Sequence, residues 1–141
     1  MWVEMKEVTV YIAGPIIGVE DNQDYREELT RLLVSQGYFV KDPWQREKIL
    51  SFPTNKLEWW KRVSPDNFIE KDLEDIDDCD VLLAYLPFLS AGTCMELFYA
   101  KRNGKKTWVI SDLDEISPWI FYHADVFFNT VKEFEDFLKK S

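Results

Sequence analysis

Between Val81 and Ala100 the chain carries a single charged side chain, Glu96. No other stretch constrains the fold as strongly. Val81 to Leu86 is an apolar run of strand length, and the turn residues Ser90, Gly92 and Thr93 bound it. A helix is expected from about Thr93 to Asn103, stopped by Gly104. A strand that passes through a short polar turn into a helix is half of a βαβ unit. In open sheets of such units ligands bind at the carboxyl ends of the strands, which is where Glu96 falls. A charge in such apolar company is costly unless it is paired or used. Glu96 therefore has two readings. Thr93 and Glu96 fit a capping box, and a carboxylate in a helix's first turn also suits the helix dipole. The alternative is a working carboxylate.

Other segments repeat the pattern. Val8 to Ala13 reads as a buried strand, broken by Gly14-Pro-Ile-Ile-Gly18. Tyr25, Leu29, Leu32 and Leu33 recur at helical spacing, Gly37 ends that helix, and Tyr38 to Lys41 is a second short strand. Residues 42–64 are expected to be irregular, with Pro43, Pro53, Trp44, Phe52, Trp59 and Trp60; a connection of that length in a compact domain is usually functional. Helix spacing resumes from Pro65 to Asp77. Thr107 to Ile110 reads as a strand, Ile116 to His123 as a helical turn, Val126 to Phe128 as a last strand and Val131 to Lys140 as a last helix. Strands alternating with helices predict an α/β fold: one domain over residues 1–141, flavodoxin-like or Rossmann-like, with a parallel five-stranded sheet in an order near 2-1-3-4-5 and helices on both faces. Strands one and three then flank the switch point, which brings Tyr11 and Gly14 towards Ser90 and Glu96.

Composition removes several functions. A net charge of −9 disfavours a nucleic acid polymer, whose phosphates need a basic surface, but leaves a small nucleotide possible at a helix N-terminus. No apolar run is long enough to span a membrane, and the first residues lack the pattern of a signal peptide. Cys79 and Cys94 are isolated thiols without metal spacing, which suits reduced core residues of a cytoplasmic protein. The single His123 cannot anchor a metal site, and no cofactor is implied.

Helix spacing singles out a second carboxylate. With Phe68 at zero on a wheel of about 100° per residue, Ile69, Leu73 and Ile76 fall at about 100°, 140° and 80°, and Asp72 at about 40°. Glu70, Glu74 and Asp77 fall on the opposite, wet side, with Asp75 at the edge. Asp72 alone among these acids points at the sheet, either to bridge a backbone amide or to do chemistry. Two inward carboxylates near a switch point suit glycosidic cleavage, where one attacks the sugar carbon and the other, as an acid, protonates the leaving group. Tyr11, ending strand one, either bonds the nucleophile or packs in the core.

Tyr11-Ile-Ala-Gly-Pro-Ile, Asp72-Leu-Glu-Asp-Ile-Asp-Asp-Cys-Asp80 and Ser90-Ala-Gly-Thr-Cys-Met-Glu96-Leu-Phe-Tyr-Ala100 together resemble the nucleoside 2-deoxyribosyltransferase family over nearly the whole chain. The resemblance implies that Glu96 is the nucleophile that forms a sugar ester, that Asp72 is the acid assisting base departure and that Tyr11 positions the nucleophile. The family's branch of 2′-deoxynucleoside 5′-phosphate N-hydrolases has serines at the positions of Ser90 and Ser117. By that resemblance Ser90, in a turn with Gly92, touches the phosphate, and Ser117 comes from the neighbouring subunit of a homodimer. A phosphate dianion suits serine and helix-start amides better than the aspartate many transferases carry there. The chain departs from the branch where Gly14-Pro-Ile-Ile-Gly18 lacks the phosphate-binding arginine, and where Phe98 replaces a glycine and is expected to narrow the pocket. Trp44, Trp59 or Trp60 could stack on a base or bury a lid.

The expected activity is thus cleavage of the N-glycosidic bond of a (deoxy)nucleoside 5′-monophosphate through a covalent Glu96–sugar intermediate, with release of the free base. Its expected substrate-binding residues are Gly14, Trp44, Ser90, Gly92 and Ser117. The alternatives are base exchange by a deoxyribosyltransferase, a nucleotide-binding domain without turnover, and cleavage of a larger dinucleotide, which the acidic surface disfavours.

Overall fold

Five segments form one parallel sheet, and the central ones are apolar runs buried on both faces, which calls for covering helices rather than a wet side. The computed structural model describes residues 7–51, 61 and 63–140. Its strands are β1 (Thr9–Ala13), β2 (Phe39–Lys41), β3 (Val81–Tyr85), β4 (Lys106–Ile110) and β5 (Val126–Phe128). They lie in the order β2-β1-β3-β4-β5, every pair parallel, as the alternating pattern predicts. The described helices are α1 (Asp24–Ser35), α2 (Trp44–Ser51), α3 (Ile69–Asp77), α4 (Ala91–Arg102), α5 (Pro118–His123) and α6 (Val131–Lys140). None is long and apolar enough to cross a membrane.

Strand alternation divides the core in two. Val10 and Ile12 face Leu29 and Leu33 of α1 and Phe134 and Leu138 of α6. Tyr11 and Ala13 point the other way, towards Ile76 of α3, Leu97 and Ala100 of α4 and Ile120 of α5. This parity puts the Tyr11 phenol on the same side of the sheet as α3 and α4. The reversal of strand order lies between β1 and β3, and the segments after these two strands face each other there.

Two expected boundaries are corrected. Residues 42–64 are not irregular throughout, since Trp44–Ser51 is α-helical. Asp42 starts this helix by accepting the Trp44 amide (3.0 Å), and Pro43 takes the first position, where its missing N–H costs nothing. The 65–77 helix is a single 3₁₀ turn over Pro65–Asn67 followed by α3 from Ile69. Phe52, Pro53, Trp59 and Trp60 lie outside the described residues.

A buried guanidinium ties the edge of this frame to its centre. Arg26, on α1, is 1% exposed. It donates to Ile12 O (3.1 Å) and Gly14 O (2.9 Å) at the end of β1, to Gln23 Oε1 (2.7 Å) and to Asp42 Oδ1 (2.8 Å). Gln23 in turn donates to Pro15 O and Val19 O, which fixes the loop after β1. The arrangement holds the end of β1 and the start of α2 in one network. Removing one member of a buried ion pair leaves the other uncompensated, at about 3–5 kcal/mol. Arg26→Met is therefore expected to lower the melting temperature by about 10 °C. Scanning calorimetry of the variant checks this, and an unchanged midpoint would show that the network carries no stability.

Candidate active site

Glu96 is not a capping residue. α4 begins two residues before the expected start, with Ser90 as its cap: the Ser90 hydroxyl accepts the Thr93 amide (3.3 Å) and shares a hydrogen bond with Thr93 Oγ1 (2.6 Å). Glu96 thus sits in the second turn, past the reach of a capping box. Its carboxylate Oε2 instead accepts a hydrogen bond from the Tyr11 hydroxyl, across 85 positions of sequence. Tyr11 is wholly buried, and burial together with the Glu96 charge raises its pKa far above the usual value. The phenol therefore stays protonated and serves as a fixed donor to Glu96.

The Glu96 side chain is only partly covered overall, yet its carboxyl end lies deep among neighbours. Burial raises its pKa to about 8, the Tyr11 hydrogen bond opposing the shift and the Asp72 charge reinforcing it.

Asp72 does point inward, and it bridges no backbone amide among the described residues. Its Oδ1 accepts Arg46 Nη2 at 2.7 Å, and Arg46 Nη1 reaches Asp75 Oδ2 at 3.2 Å. Asp75 also faces Lys41 at 3.6 Å, so it belongs to this ionic edge and not to the solvated face. Glu70, Glu74 and Asp77 are exposed, as the wheel predicts. Beside Asp72 lies a third carboxyl, Glu47 of α2, 3% exposed. Burial first, then the Asp72 and Glu96 charges, push the Glu47 pKa up to about 10. Burial also raises that of Asp72, against its contacts with Glu47 and Arg46.

Sequence reasoning missed Arg46 and Glu47 because it treated their segment as a loop. The usable signal was Asp42-Pro43, a cap followed by a first-position proline. Counting from there places Pro43 and Glu47 one helical turn apart, and both are buried.

The remaining candidates fall into two groups. Gly14, Ser90 and Gly92 lie just past the carboxyl ends of β1 and β3, as expected. Gly14 has its own packing reason, since a Cβ there would stand 2.2 Å from the Tyr25 hydroxyl. Gly92 faces open space with nothing within 4 Å of a Cβ position. Trp44 is half-buried at the start of α2. Ser117 caps α5, accepting the Trp119 amide at 3.2 Å, and belongs to the end of the sheet nearer β5. Phe98 lies two residues, or about 200° of helix, round from Glu96, where it meets the His123 ring (5.3 Å) and Arg102 (5.4 Å).

A parallel α/β sheet thus brings a phenol-held carboxyl and two neighbouring buried carboxyls together beside its switch point. The sequence profile of nucleoside 2-deoxyribosyltransferases matches residues 10–133, and the chain belongs to that enzyme family. Among solved structures it is similar to a 2-deoxyribosyltransferase from Bacillus psychrosaccharolyticus, at 22% identity and a TM-score of 0.68, covering 92% of this chain and 91% of that one. It is similar to a 2-deoxyribosyltransferase from Leishmania mexicana (21% identity, TM-score 0.66, 94% and 97% covered). It is also similar to a CMP N-glycosidase from Clostridium botulinum (20%, 0.61, 94% and 98%). At these identities the likeness is one of fold. No protein with a curated description matches the sequence.

The raised pKa of Glu47 has a consequence for stability. The folded chain keeps a proton on Glu47 that the unfolded chain releases as pH rises past its ordinary 4.5, so folding binds protons between there and about 10. Stability from this group is present at low pH and is lost as pH rises through that window. Glu47→Gln lacks the penalty. Its melting temperature relative to the parent is expected to climb from little difference at pH 5 to a gain of about 3 °C or more at pH 9. A pH series of thermal melts checks this, and a difference independent of pH would contradict the shift.

Proposed function

We propose that the protein cleaves the N-glycosidic bond of a (deoxy)nucleoside 5′-monophosphate, with Glu96 as nucleophile, and releases the free base. The observation that carries this reading is the Tyr11–Glu96 hydrogen bond facing the Asp72–Glu47 pair. The Tyr11 bond orients one Glu96 oxygen and leaves the other for the anomeric carbon. Glu96 attacks that carbon as the bond to the base breaks. The electron pair goes to the base nitrogen, which takes a proton from Asp72. Water then opens the sugar ester, so the configuration is retained over two displacements.

A 5′-phosphate is favoured by the start of α4. Its first amides, with Gly92 open beside them and the Ser90 hydroxyl at the cap, offer donors and no carboxylate to repel an anion. Gly14 lies on the opposite lip, across the switch point, and in this reading Trp44, half-buried at the start of α2, stacks on the base.

A second copy of this chain would complete the site through Ser117. The helix that follows it exposes Trp119 (72%), Phe121 (60%) and Tyr122 (76%), and α4 adds Met95 (71%) beside them. An apolar patch of this kind on a small domain marks a contact surface. The homodimer is expected to elute at twice the monomer mass, and Trp119→Glu to elute as the monomer. If both elute alike, a different surface or none is used.

Incubation with a panel of nucleosides and their 5′-monophosphates, with and without a free acceptor base, tests the activity by chromatography. Base released from monophosphates alone supports the proposal. A new nucleoside formed only with acceptor would replace it with base exchange, which the family name favours. Glu96→Ala is expected to lose at least about 10³-fold in turnover while melting as a folded protein. An active variant would remove Glu96 from the mechanism. Because the nucleophile must be ionised, kcat/KM is expected to rise with pH up to about 8. A profile flat below that value would contradict the assignment of Glu96.

A further inference from the structure

Asp72 is a poorly chosen acid if it acts alone. Arg46 lies 2.7 Å from its Oδ1, and a charge-assisted bond of this kind favours the ionised form. Glu47 is in the opposite position. It is 3% exposed, no cation touches it, and its Oε2 is buried with no hydrogen-bond donor among the described residues. Yet the two carboxyls lie against each other. Two carboxylates in such contact repel each other unless one carries a proton. Two charged groups facing Glu47 favour placing it there, since Asp72 on α3 and Glu96 on α4 repel its anion; Arg26 on α1 opposes them, and it is itself paired with Asp42. The buried phenol of Tyr11 supplies its donor to Glu96 and not to Glu47.

We propose that the proton taken by the departing base is stored on Glu47 and reaches the base through Asp72, so that the two carboxyls work as one acid. This rests on the glycosidic reading of the site. In the first step the C1′–N bond breaks and a bond forms between C1′ and a Glu96 oxygen. Asp72 gives a proton to the base nitrogen and takes one from Glu47, which ends as carboxylate. In the second step water attacks C1′, the Glu96 ester bond breaks, and the proton lost by water passes through Asp72 back to Glu47. The sum is nucleotide plus water giving base plus sugar phosphate, with the site restored. Arg46 supplies what Asp72 needs to stay anionic between transfers. Glu47 is thus a positioning and proton-holding residue that acts through Asp72.

The test is Glu47→Gln, which keeps the size of the side chain and removes its acidic proton. Two substrates separate the roles: a 5′-monophosphate that the parent cleaves, and the 4-nitrophenyl 2-deoxyribofuranoside 5′-phosphate, whose phenolate leaves without a proton. The variant is expected to release the natural base at least about 100-fold more slowly and nitrophenolate within about threefold of the parent rate. Equal slowing on both would make Glu47 merely structural, and no slowing on either would remove it from the reaction. A measurement without substrate stands beside this. The infrared spectrum at pH 8 is expected to show a protonated-carboxyl band in the parent that Glu47→Gln loses. A spectrum unchanged by the substitution overturns the proposal. If the parent cleaves neither substrate, the glycosidic reading fails, while the infrared result still decides where the proton sits.

Discussion

The buried guanidinium of Arg26 sets the geometry on which the site depends. Its contacts join the carbonyls at the end of β1 to Asp42 at the start of α2, so the strand that carries Tyr11 and the helix that carries Arg46 and Glu47 are fixed to each other. A desolvated charge of this size is tolerated only with nearly full hydrogen bonding, and four acceptors surround it. The same positive charge is felt by Glu96 and Glu47, which it holds below the values that burial alone would impose. Arg26 therefore shapes the site sterically and electrostatically without lining it.

Around that anchor the site is arranged by opposing environments. Glu96 has a neutral donor, Asp72 has a cation, and Glu47 has neither. Carboxyls that share a cleft but differ in partner ionise at different pH values, and such separation is how one site can supply an anion and an acid together. Water exclusion strengthens each of these effects, because charges in a low-dielectric cleft interact more strongly.

Most of the frame was legible in the sequence, for a physical reason. A parallel strand buried on both faces is a continuous apolar run, so β1, β3 and β4 stand out, and so does a lone charge such as Glu96 in the largely apolar segment after β3. The amphipathic wheel of α3 exposed Asp72 in the same way. α2 was not legible by that route, since its inward side carries Pro43 and Glu47 in place of an apolar stripe, and with it went the Asp72–Glu47 pair. The capping-box reading of Glu96 failed because Ser90, three residues before Thr93, is an equally good cap and one better placed after β3. Arg26 stands three and seven residues before Leu29 and Leu33, so spacing alone puts it beside the buried face of α1. What spacing could not give is its set of acceptors, which only the folded β1 and the segment after β2 bring together.

The central claim is that Glu96 bonds covalently to the sugar. The most direct measurement is intact-protein mass spectrometry after rapid acid quenching of the protein with a 5′-monophosphate that it cleaves, followed by peptide mapping. A mass increase of one sugar phosphate on the peptide containing Glu96, formed and lost at the rate of turnover, is the predicted result. Steady release of base with no adduct at any quench time, and with inverted configuration at the anomeric carbon, would contradict it.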